Sequence, residues 1–181
     1  MKLLFESWRR YLNEICGPET LLPPYDFEWD EAFHKSKKRS KGEEHYTFTT
    51  DGGSKYDVIF IQQSNPLRPS DSYRTNKMPW EIEFEIDGMM YQTMENEPLK
   101  IMSTIIAIIK DFIADPEINQ GIKKFVFTGI SKVAGHDKGK ETQRTKLYKK
   151  CLELNLPDNF ATRQAGPNVI FFGEKDEGDK K

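Results

Sequence analysis

Two stretches of this 181-residue chain hold residue types at spacings that could do chemistry. The first is the loop 131–142, which reads A-G-H-D-K-G-K-E across 134–141. It follows a strand-like run and precedes a helix-like one, where backbone amides and the helix dipole favour an anion. A phosphate-cradling P-loop needs G-x-x-x-x-G-K-[ST]. Gly139-Lys140 fits, but Ala134 replaces the first glycine and Glu141 the magnesium-holding hydroxyl. What remains is an anion site built from Lys138, Lys140 and Arg144, set against a plain solvated basic loop. The second stretch is Glu81, Glu83 and Glu85, three carboxylates in period-two register. They read as a catalytic row or as the wet face of a strand, and the wet face is the expectation. His34, His45 and His136 show no metal-ligand spacing, and no G-x-S-x-G motif occurs. No metal is expected.

The elements that must position these residues are legible in the periodicity. HYTFTT (45–50) and KYDVIFIQQ (55–63) alternate around Asp51-Gly52-Gly53 and predict a hairpin. WEIEFEI (80–86) puts Trp80, Ile82, Phe84 and Ile86 on one face and the three glutamates on the other. Asp87-Gly88 turns it into MMYQTM (89–94), predicted as a fourth strand. PLKIMSTIIAIIKDFIA (98–114) is the main helix, with Pro98 in its first turn and Asp115-Pro116 at its end. KKFVFTG (123–129) reads as an interior strand, TQRTKLYKKCLELN (142–155) as a second helix, and NVIFFGE (168–174) as the last strand. The order β-β-β-β-α-β-α-β predicts an α+β fold, a mostly antiparallel sheet with two packed helices.

Charge and composition set limits. The chain carries 27 Lys+Arg against 29 Asp+Glu, a net charge of -2, which excludes a wholesale basic nucleic-acid binder. The basic run KSKKRSK (35–41) lacks interleaved aromatics, so nucleic acid is a minor expectation as a partner. No run of about 18 apolar residues crosses a membrane. Cys16 and Cys151 lie far apart in no C-x-x-C arrangement, which predicts reduced thiols in a cytosolic setting. Leu4, Trp8, Tyr11 and Leu12 share one face of a short N-terminal amphipathic helix that Gly17-Pro18 stops. Such a helix is marginal alone and needs a partner surface. The expected organisation is a docking helix at 1–14, a polar linker at 15–44, the α+β domain at 45–174 and a disordered tail at 175–181.

Two resemblances add to this reading. FESWRRYLNE, within residues 1–14, resembles N-terminal peptides on proteins of T4-like marine tailed phages. Some of those peptides target proteins into the prohead, where a phage protease cuts after Leu/Ile-x-Glu. Leu12-Asn13-Glu14 matches that pattern, and a cut after Glu14 would leave Ile15 first. Residues 45–174 resemble the second half of the GNAT acyltransferase fold, in which a Leu-Tyr pair on the penultimate helix supplies a tyrosine that protonates a leaving thiolate. Leu147-Tyr148 matches that pair. The family's glycine-bearing pyrophosphate loop would fall near 92–99, where this chain reads QTMENEPL. The resemblances imply a phage-encoded accessory protein that acts by binding, without a cofactor. It would work in the host cytoplasm or in the virion interior, its N-terminal helix docked on head components or protease. The alternative they imply is an acyl-CoA-dependent N-acyltransferase using acetyl-CoA, with Tyr148 as general acid.

Overall fold

The computed structural model describes residues 16–31, 42–62, 79–86, 98–119, 121, 124–128, 143–166 and 169–174. Seven strands form one sheet: β1 Phe27–Trp29, β2 Glu43–Thr49, β3 Lys55–Gln62, β4 Trp80–Ile86, β5 Lys124–Thr128, β6 Phe160–Gly166 and β7 Val169–Glu174. Their order across the sheet is β1-β2-β3-β4-β5-β7-β6. Among the described residues three helices accompany them: α1 Pro98–Ala114, α2 Pro116–Asn119 and α3 Gln143–Asn155. Every neighbouring pair runs antiparallel except β4 and β5, which are parallel and joined through α1. The fold is α+β with a mostly antiparallel sheet, as the periodicity predicts.

Register explains which residues are buried. Tyr46 faces Val58, Phe60 faces Ile82 and Trp80 faces Phe125, so these side chains share one side of the sheet. Both long helices cover that side. On α1, Phe112 stacks on Phe60 at 3.9 Å between ring centroids and meets Trp80, Tyr46 and Phe125 edge-on. Each such aromatic pair adds about 0.5–1.5 kcal/mol beyond its area. Ile101, Met102, Ile105, Ile106, Ile108 and Ile109 complete the buried face of α1. At the β2–β3 turn Gly53 has φ +87°, a left-handed conformation that an L side chain strains to adopt. Thr50 closes the turn through Ser54 N–H to its Oγ1, 3.1 Å, and Lys100 Nζ of α1 reaches Asp51 Oδ2 at 2.7 Å. Among the described residues no helix is long and apolar enough to cross a membrane.

Several expectations need correction. Part of the stretch 15–44, read as polar linker, belongs to the fold: it supplies β1, the start of β2 and the buried Cys16 and Tyr25. A strand at 160–166 was not expected, because FATRQAG lacks alternation, and its pairing with β7 is what makes it a strand. Most consequentially, Cys16 and Cys151 are not free thiols. They form a disulfide, with Cα atoms 4.7 Å apart across 135 residues of chain. Sequence separation carries no information about separation in space once the chain folds back on itself. The docking helix at 1–14, the strand at 89–94, the run at 35–41 and the tail at 175–181 lie outside the described residues.

Candidate functional site

In an α/β sheet, ligands bind at the carboxyl ends of parallel strands where neighbouring connections diverge. Among its described strands this sheet has one parallel pair. Its ladder joins Trp80 to Phe125, Glu81 to Val126 and Ile82 to Phe127. The described part of β5 ends one residue later at Thr128, which pairs with Val169 of β7, while β4 runs on beside β3 to Ile86. This is the end where β4 leads toward α1 and β5 leads toward α3.

On the helix side of the sheet at this end stand three rings. Tyr148 of α3 meets Phe127 of β5 edge-on at 5.4 Å and Phe84 of β4 at 6.5 Å, and the two phenylalanines lie 5.9 Å apart. Tyr148 is 7% exposed. It bridges the two strands at this end. The local sequence brings it there because Tyr148, Cys151 and Leu152 occupy one stripe of α3 at i, i+3, i+4.

On the other side of the sheet lies the glutamate row. Glu81, Glu83 and Glu85 are half-buried instead of freely solvated, and β4 is an interior strand between β3 and β5. Register adds a fourth member, since Glu43 of β2 and Glu81 both pair with Ile61 of β3. Burial pushes the Glu83 carboxyl above the usual carboxylate range, and the neighbouring charges of Glu81, Glu85 and Glu43 push it further the same way. Such a carboxyl holds a proton more readily than an ordinary glutamate, as a general base requires. His45 Nε2 lies 3.0 Å from Glu43 Oε1 at the β2 end of the row.

The other residues singled out by sequence are not brought to this geometry by the described structure. Lys138 and Lys140 lie outside the described residues, as do Leu12 and Glu14. Arg144 is the second residue of α3, and the described structure places its backbone only. In sequence the stretch between Thr128 and Gln143 nonetheless connects the carboxyl end of β5 to α3. Among the described residues no group of three or more His, Cys, Asp or Glu could hold a metal. The alternation of WEIEFEI placed the three glutamates on one face, but Glu43 needed the β2–β3–β4 register and carried no signal of its own. No known protein family, no curated protein and no solved structure matches this chain.

Proposed function

We propose that the protein is a GNAT-like, acyl-CoA-dependent N-acyltransferase whose site is the carboxyl end of the β4–β5 pair. The observation that carries this reading is the placing of Tyr148 against one phenylalanine from each of the two parallel strands. The reading requires β4 and β5 to separate beyond Thr128 to admit an acyl thioester, which would then have Tyr148 on one face of the sheet and Glu83 on the other. The amine nitrogen attacks the thioester carbonyl, Glu83 takes the proton the amine loses, the C–S bond breaks as the C–N bond forms, and Tyr148 protonates the leaving thiolate. Lys138, Lys140 and Arg144, in the chain between β5 and the first turn of α3, are the cations available for the cofactor's phosphates. They would stand in for the backbone cradle of a glycine loop, since QTMENEPL at 92–99 holds no glycine.

Calorimetry with acetyl-CoA tests the reading: binding in the micromolar range supports it, and no heat at millimolar ligand removes it. Tyr148→Phe should lower kcat for transfer to an amine about 100-fold with KM little changed, the size expected for loss of a general acid. An equal fall in cofactor affinity would instead make Tyr148 a packing residue.

A second reading rests on the place of Cys16, which is fully buried, bonded to α3 and two residues beyond Glu14. A cut after Glu14 would remove the docking helix and leave the disulfide intact, which suits a phage accessory protein processed during packaging. Mass spectrometry of purified virions decides this. A mature chain starting at Ile15 supports it, and absence from particles or a retained Met1 rejects it.

A further inference from the structure

Residues 16–25 lie as a strap over both long helices. At one end the disulfide joins Cys16 to Cys151 of α3, and both cysteines are fully buried. Beside it the buried Asn155 spends both amide hydrogens on this junction, donating to the carbonyls of Cys16 at 2.7 Å and Cys151 at 2.9 Å. Further along, Ser103 Oγ of α1 donates to the Leu22 carbonyl, and the Tyr25 amide donates to Thr104 Oγ1 at 2.9 Å. The Tyr25 ring stacks on Phe48 of β2 and lies under Lys100 Nζ. The Tyr25 end is thus held by several contacts of different kinds. Among the described residues the Cys16 end is held by the disulfide, by the two hydrogen bonds from Asn155 and by the packing of Cys16 and Leu21 on the core.

We propose that Cys16 and Cys151 form a reversible oxidation site that locks the strap across α3 and α1. Oxidation joins the two sulfurs and releases two protons and two electrons. The electrons pass to a disulfide-bearing exchange partner, such as oxidised glutathione, which leaves as two thiols. Reduction by a dithiol reverses this and frees the 16–21 end, while the Tyr25 end stays docked. Full burial of both sulfurs means that a reductant reaches them only when the strap opens locally, so the lock is slow to release in the folded protein. This goes beyond the acyl-transfer reading and does not depend on it, although the locked helix is the one that carries Tyr148 one turn before Cys151.

The full chain, equilibrated with oxidised glutathione and separately with dithiothreitol, tests the lock by thiol alkylation under denaturing conditions and by hydrogen–deuterium exchange of the folded protein. After oxidation neither cysteine should alkylate, and after reduction both should. Reduction should speed exchange at the amides of Thr20 and Leu21, which donate to the Gly17 carbonyl, by at least about tenfold, the signature of local opening. The amides of α1 should stay slower to exchange than those of the strap, losing only the protection that the fall in overall stability removes. The double variant Cys16→Ser, Cys151→Ser should exchange like the reduced protein in either buffer. Alkylation of both cysteines after oxidation overturns the proposal. So does unchanged exchange at 17–21 on reduction, and so does exchange at 17–21 that is no faster than in α1 after reduction, which would make the bond a global staple and not a latch.

Discussion

Glu83 and Tyr46 illustrate opposite uses of a raised pKa. Tyr46 is buried and its hydroxyl donates to Asp111 Oδ2 at 3.1 Å, so burial and then the Asp111 charge hold the phenol neutral far into the alkaline range. It is a structural hydrogen bond across the α1–sheet junction. Glu83 is half-buried among three like charges and carries repulsion that folding imposes on it. The sign for stability follows from linkage. With its folded pKa raised above the unfolded value, Glu83 binds more protons folded than unfolded, so its contribution is favourable in acid and lost as pH rises through the folded pKa. Glu83→Gln should therefore raise the denaturation midpoint at neutral pH, with the gain shrinking as pH falls below the ordinary glutamate range. Urea melts of both proteins between pH 4 and pH 8 measure this, and an equal difference at all pH values would show that folding does not raise the pKa of Glu83. The same substitution should lower acyl transfer if Glu83 is the base, so stability and activity should move in opposite directions.

At the scale of elements, legibility tracked how far each element's own residues dictate its burial. Helix α1 was readable to its ends because Leu99 to Ile113 repeat at helical spacing and Asp115-Pro116 stops the run. Strand β4 was equally readable, since its alternation is unbroken over seven residues. Strands β1 and β6 were not, because FEW is too short to show a period and FATRQAG owes its extended form to β7. For the site, Tyr148 could be named only through the Leu-Tyr resemblance, and its placing over β4 and β5 needed their parallel pairing, which no local pattern encodes. The disulfide was illegible for the same reason. The element that most repays a direct test is α1, whose Phe112 touches rings on β2, β3, β4 and β5. Phe112→Ala should cost about 3–5 kcal/mol through lost transfer and an unfilled cavity. Phe112→Leu should cost markedly less, because most of the volume is kept. Equal losses for the two variants in guanidinium melts would show that the ring contacts, and not the filled volume, set the stability at this junction.

The whole molecule is closed on itself by one long covalent loop. The bond between Cys16 and Cys151 encloses five of the seven described strands, β1 through β5, together with α1, α2 and most of α3. In the chain-entropy account a cross-link acts mainly by restricting the unfolded ensemble, and longer loops gain more, with typical totals of about 2–4 kcal/mol. The native contacts around Asn155 and Tyr25 are then additive to the bond and not a consequence of it. Two denaturation experiments separate these contributions. Reduction with dithiothreitol should lower the urea midpoint, and it should also raise the m-value, because the reduced unfolded chain exposes more surface than the cross-linked one. Asn155→Ala in the oxidised protein should lower the midpoint by leaving the carbonyls of Cys16 and Cys151 without that donor, but should leave the m-value unchanged. If reduction shifts the midpoint with no change in m, the bond acts on the folded state, and the strap contacts, not the unfolded chain, carry its stabilisation.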